Sequence, residues 1–201
     1  MHHAVPDEKF EGLRGVRFRE RPEAIAEGCA GSGTSGWGEV RVTEKVTGFK
    51  KLKFETHENV GYGEVLLPDL EMQTTAFWID LDGREAEGMG VGRATLADGL
   101  RGVGHALHTV ASLERMCDPH DLGIAMEDEG DIRLRLYVYD AYPGGVGLSE
   151  PLFTARGRTL DRAATLVRSC ACDSGCPACV APAGEHRKKI ALEILGRLRD
   201  S

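Results

Sequence analysis

The sequence predicts an α+β fold in which antiparallel strands precede several helices and a four-cysteine loop joins the last two helices. Three observations carry this expectation. Between Glu39 and Leu81, short runs of β character alternate with Gly, Pro and Asp. Between Leu96 and Val110, apolar residues recur every three or four positions. Residues 170–179, CACDSGCPAC, hold four of the six cysteines of a 201-residue chain.

Residues 28–38, GCAGSGTSGWG, are rich in Gly and Ser without apolar periodicity, and are expected to form a flexible loop. The runs EVRVTEKV, KKLKFET, VGYGEVLL and TTAFWIDL then predict an antiparallel meander. From Asp98 to Met116 the period becomes helical, with Leu100, Val103, Leu107 and Val110 on one stripe. His105 is expected about half a turn away, toward water or a second partner. DIRLRLYVYD (131–140) reads as a strand entering a core, stopped by AYPGGVG, with a helix restarting near Leu148. Helices are expected near Thr159–Ser169 and Glu185–Arg199, on either side of the cysteine cluster.

A chain of this length can build a core without cross-links. No apolar run approaches the eighteen or so residues a membrane helix needs, so no membrane partner is expected. The start, MHHAVPDEKF, lacks the basic-then-apolar pattern of a secretory signal, and the expected location is a reducing, cytoplasmic one. The net charge of −7 argues against gripping nucleic acid through the overall field. Charge is nonetheless uneven. Residues 156–199 carry nine Lys or Arg against four acids, a balance of +5, which leaves −12 elsewhere.

Cys170, Cys172, Cys176 and Cys179 have the spacing C-x-C-x3-C-x2-C. Four thiolates so close can converge on one tetrahedral Zn²⁺ at about 2.3 Å per bond, with Gly175 and Pro177 allowing the turns. Two disulfides in so short a loop would be strained and need an oxidising environment. An iron–sulfur cluster uses the same ligand type and stays open on residue identity alone. CPAC also matches a redox dithiol, but two more cysteines crowd it. Four protein ligands leave no open position on zinc, so such a site is structural rather than hydrolytic.

Other candidates are weaker. In YDAYPGGVGLSE, backbone N–H groups around Gly144, Gly145 and Gly147 could cradle a phosphate, although a plain tight turn accounts for the glycines equally well. HRKKIALE nearly spells a phospholipase-D-type nuclease signature, but it occurs once, lacks the final Asp, and reads as an amphipathic helix. His105, His108 and His120 with Asp118 and Asp121 are better read as a helix surface and a polar loop than as a second metal site. The chain shows no G-K-[ST] phosphate loop and no D-E-x-H box, so no ATP hydrolysis is expected from it alone.

The segments VTGFKKLKFET, LPDLEMQTTAFWI, GVGHALHTV, CDPHDLG, LYVYDAYPGGVGLSE and CACDSGCPACV occur here in one order. Together they resemble the MZB domain, the zinc-binding C-terminal module of superfamily 2 DNA helicases of the mitomycin repair factor A type. The resemblance runs from about Val42 to the C-terminus. It implies a zinc-binding module over 39–201, preceded by a poorly assigned segment over 1–38. It also implies four cysteines on zinc in an accessory domain of an ATP-driven 3′-to-5′ DNA repair helicase, helping to close it around single-stranded DNA. Family members carry two RecA-like motor domains upstream. This sequence shows neither, which suggests an excised domain or a separate subunit partnered by a motor.

The basic segment supplies candidate strand contacts. Arg158 and Arg162 stand four apart, on one helix face if the helix starts early enough, with Lys188 and Lys189 as weaker candidates. Phosphate contacts from such side chains give sequence-independent, salt-sensitive binding. The rival reading is a protein-interaction module that docks on a helicase motor without touching DNA, which the net charge favours.

Overall fold

In the computed structural model, the described residues are 8–18, 22–53, 56, 58–65, 67–129, 132–181 and 186–199. They form seven strands, β1 (Glu8–Phe18), β2 (Glu23–Ala30), β3 (Gly33–Lys53), β4 (Asn59–Glu64), β5 (Leu70–Asp82), β6 (Leu122–Asp128) and β7 (Arg133–Asp140). Five helices accompany them: α1 (Glu85–Gly88), α2 (Arg93–Arg115), α3 (Ser149–Thr154), α4 (Arg156–Ser169) and α5 (Arg187–Arg199). A 3-10 turn at Pro119–Asp121 introduces β6. Phe54, Glu55, Leu66 and Asp131, in the expected strand runs, and Glu185, at the expected start of the last helix, lie outside the described residues.

The chain divides into two compact units, and β3 contributes to both. One comprises Met1–Arg19 and Arg41–Met72, where β1 and β4 each pair antiparallel with the second part of β3. The other comprises Glu20–Val40 and Gln73–Ser201. Its sheet runs β3–β5–β7–β6, with β2 added antiparallel to the first part of β3. The β5–β7 and β6–β7 pairs are antiparallel as well.

In the second unit, one face of the sheet carries Phe77, Ile79 and Leu81 of β5 and Leu134, Leu136 and Val138 of β7 into the core. The period-2 alternation of both strands delivers every second side chain to that face. Against it pack Leu96, Leu100, Val103 and Leu107 of α2. Leu160, Ala163 and Val167 of α4 and Ile190, Ile194 and Leu198 of α5 complete the cluster. The α2 stripe expected from the sequence is therefore a buried one. α2 begins earlier than expected, at Arg93.

Glycine inside α2 costs about 1 kcal/mol of helix propensity relative to alanine at each position. At Gly99 the reason is close approach: a β-carbon there would lie 2.3 Å from Cγ2 of Ile190 on α5. At Gly102 it would lie 3.2 Å from Cβ of Val180, beside the cysteine loop. The GLRGVG stretch thus lets α5 and that loop settle onto α2.

Two expectations are corrected. Residues 28–38 are not a loop, since they form most of the hairpin between β2 and β3, turned at Gly31 (φ +55°). The glycines that disguised it make room for neighbours, because a β-carbon at Gly36 would meet the Trp78 ring at 2.4 Å. EVRVTEKV and the KKLK of KKLKFET are not successive strands of a meander but parts of one 21-residue strand. β6, hidden behind CDPHDLG, was not anticipated. Gly123 breaks its β pattern and pairs with Tyr139, whose ring occupies the space a side chain would fill.

Candidate metal centre

The cysteine loop begins where α4 ends. Cys170 leaves the helix in an extended conformation (φ −70°, ψ 131°), which turns the chain back toward α2. Gly175 adopts φ +139° and Ala181 φ +60°, and between them the Cys179 N–H donates to the Cys176 carbonyl at 3.0 Å. A β-carbon at Gly175 would press on Val180 at 2.7 Å, so both the backbone angle and the space call for glycine.

These turns bring four thiols together. Sγ of Cys170 lies 3.5 Å from that of Cys176; Cys179 lies 3.4 Å from Cys172 and 3.6 Å from Cys176. All four sulfurs fall within 4.8 Å of one another. A tetrahedron with metal–sulfur bonds of about 2.3 Å has sulfur–sulfur edges of about 3.8 Å, so the quartet fits a single ion. A polynuclear iron–sulfur core would have to hold these sulfurs well apart. Cys179 is fully buried and the other three are partly so.

The four thiols differ in how readily they ionise. The Cys172 backbone N–H and the Cys176 thiol lower Cys170 to about 7. Burial pushes Cys179 up to about 12 and raises Cys172. A dication held among them would offset the cost of burial, because each thiolate would be stabilised by a common positive charge.

The surrounding helices clamp the loop. Lys188 of α5 donates its ammonium to the carbonyls of Cys170 (2.6 Å) and Cys172 (2.5 Å), while its backbone N–H reaches the Ser174 carbonyl at 3.1 Å. His105 of α2 sits 2.6 Å from the Pro177 carbonyl. A carbonyl only accepts, so Nε2 is the protonated nitrogen. The second partner expected for His105 is therefore the cysteine loop. Arg187 forks onto Asp98 of α2, with Nε 3.0 Å from Oδ2, and also reaches the Val180 carbonyl at 3.4 Å. That bond to Arg187 holds the Asp98 carboxyl below its ordinary range.

Among the described residues, this quartet is the one group of three or more Cys, His or acidic side chains close enough to share an ion. His108 and His120 have other partners. His108 lies 2.8 and 3.0 Å from the carbonyls of Pro119 and Leu122, and His120 lies 2.7 Å from Asp118.

Arg158 and Arg162 share a face of α4, and both point at Glu114 of α2. Nη1 of Arg162 is 2.9 Å and Nε of Arg158 is 3.6 Å from its Oε1. The carboxylate side chain is 4% exposed, whereas the arginines are 63% and 57% exposed. Thr159 adds a hydrogen bond at 2.7 Å to the other oxygen. Lys189 is exposed on α5.

The glycine loop also has an anion, from its own chain. Asp140, fully buried at the end of β7, accepts the N–H groups of Val146 (2.8 Å), Gly147 (2.8 Å), Leu148 (3.0 Å) and Ser149 (2.9 Å). Gly144, Gly145 and Gly147 take φ of +82°, +73° and +81° to make this nest. The Gly144 N–H donates to Gln73 and that of Gly145 to Tyr142. Of the three glycines named from the sequence, Gly147 alone donates to this carboxylate, and the other donors are Val146, Leu148 and Ser149.

Fold and site together define an α+β chain with a partly buried cluster of four thiols close enough to hold one metal ion. The family model of the MrfA Zn-binding domain, MZB, matches residues 103–180, so this stretch carries an MZB domain. The ATP-dependent helicase YprA of Bacillus subtilis (strain 168) is 31% identical over 166 residues, covering 81% of this chain and 22% of YprA. The crystal structure of the DUF1998 helicase MrfA bound to DNA superposes with a TM-score of 0.69 at 26% identity, over 97% of this chain and 26% of that one. A second crystal structure of MrfA gives a TM-score of 0.64 at 25% identity, over 90% of this chain and 24% of that one. The chain thus spans about a quarter of the length of these relatives.

Proposed function

We propose that this chain is the zinc-binding accessory module, as domain or subunit, of an ATP-dependent 3′-to-5′ DNA repair helicase working in the cytoplasm. It contacts single-stranded DNA and a RecA-like motor and performs no catalysis itself. The observation that carries this reading is the four-thiol centre at the junction of α4 and α5, in a chain similar over nearly its whole length to a helicase crystallised on DNA. Zinc held by Cys170, Cys172, Cys176 and Cys179 supplies a cross-link between these helices. With four protein ligands it has no position left for substrate. No helix among the described residues is long and apolar enough to cross a membrane.

DNA contact is assigned to the exposed basic side chains of α4 and α5, Arg158, Arg162 and Lys189. Arg158 and Arg162 share one carboxylate, so the trio with Glu114 keeps one uncompensated positive charge and two guanidinium groups open to solvent. Guanidinium groups bind phosphate oxygens without regard to sequence, as a translocase requires.

The test is a salt titration of binding to a labelled single-stranded oligonucleotide, with and without the motor. The Arg158→Glu, Arg162→Glu double variant is expected to weaken binding and to flatten the slope of log K against log salt by about one to two. An unchanged affinity and slope with zinc retained would favour the rival reading, a module that docks on a motor without touching DNA. The net charge of −7 speaks for that rival.

A further inference from the structure

Lys188 sits on the most basic stretch of α5, where a lysine invites assignment to a phosphate. Its surroundings point elsewhere. The side chain is half-buried and the ammonium spends two of its three protons on the carbonyls of Cys170 and Cys172. Among the described residues no carboxylate pairs with it, although Arg187, Arg197 and Arg199 on the same helix all have acidic partners. A half-buried cation held only by carbonyl dipoles is costly unless a negative charge lies close by. Four thiolates around one Zn²⁺ supply it, since such a centre carries a double negative charge.

We infer that Lys188 is a positioning residue of the metal centre and its counter-cation, rather than part of a strand path. The assignment rests on the zinc reading above. Its two bonds fix the backbone on both sides of Ala171, which sets the spacing of the Cys170 and Cys172 sulfurs before metal arrives. Its charge then offsets part of the excess negative charge of the loaded centre. Both effects act on how long zinc stays bound, and neither touches nucleic acid. Second-sphere partners of this kind typically alter metal affinity 10- to 100-fold.

The test compares the wild-type chain with Lys188→Met, which keeps the apolar stem, and Lys188→Arg, which keeps the cation. Each is loaded with zinc and challenged with a chromogenic chelator at fixed pH, with circular dichroism verifying that the loaded variants retain the helices. Lys188→Met is expected to release zinc about 10-fold faster or more, and Lys188→Arg is expected to recover most of that loss. Cobalt-loaded Lys188→Met is expected to shift the sulfur-to-cobalt charge-transfer bands, which a merely stabilising contact elsewhere would leave in place. The salt slope for single-stranded DNA should be that of wild type. Wild-type release kinetics in a zinc-loaded Lys188→Met chain, or a reduced salt slope with release unchanged, overturns the assignment while the zinc reading stands. A wild-type chain that takes up no zinc overturns both. Should Lys188→Met fail to fold even when loaded, release from Lys188→Gln decides on the same criteria.

Discussion

Replacing Cys176 with serine is expected to free the cysteine loop and the start of α5 while most of the domain stays folded. Structural zinc contributes on the order of 10 kcal/mol to the folded state of small zinc modules, and a three-thiol site loses much of that. The loss stays local because the rest of the unit has its own core and the far end of α5 is tied independently. Ser32 donates to the Arg197 carbonyl at 3.0 Å, and Arg197 pairs with Glu85 at 2.8 Å. Hydrogen exchange should therefore show protection falling most across residues 170–190, with β5 and β7 little changed. Cys29→Ser and Cys117→Ser are the controls, since neither thiol approaches the quartet and an isolated cysteine contributes about what a small hydrophobe does. Equal melting shifts for the three variants would remove the metal from this account.

Asp140→Ala is expected to be the most damaging single change away from the cysteines. Four backbone N–H groups converge on a carboxylate with no solvent exposure, and alanine leaves all four without it. A buried donor left without its acceptor costs about 1–3 kcal/mol, so losing the acceptor of four donors should cost several. The damage should spread along a chain of contacts, because Ser149 donates to Thr75 at 3.0 Å and itself accepts from the Trp37 indole at 3.3 Å. Asp140→Asn keeps an acceptor oxygen but turns an amide NH₂ toward N–H donors, and should fall between wild type and alanine. Chemical denaturation measures both. A loss below about 1 kcal/mol for the alanine variant would mean that water replaces the carboxylate, against its burial.

The readable parts of this sequence were those governed by local periodicity. The stripe of α2 lies where spacings of three and four placed it, α4 and α5 fall near where helices were expected, and the cysteine spacing announced a convergence that the loop achieves. The hidden parts depended on residues distant in the chain. Gly36 and Gly123 look like loop residues until Trp78 and Tyr139 are seen lying over them, and β2, the first part of β3 and β6 were missed for that reason. The glycines after β7 were legible as a turn, but that Asp140 gathers the N–H groups of Val146, Gly147, Leu148 and Ser149 was not. The environment of Lys188 was equally hidden, because its partners lie 16 and 18 residues back, across the loop. For Arg158 and Arg162 the shared helix face was legible from i,i+4 spacing, whereas Glu114 beneath them was not.

Metal content of freshly purified, reduced protein tests the central claim most directly. The account predicts one zinc per chain, resistant to dialysis and lost when Cys176 is replaced. Zinc near zero, or a brown protein absorbing in the visible with iron and sulfide in place of zinc, would contradict it.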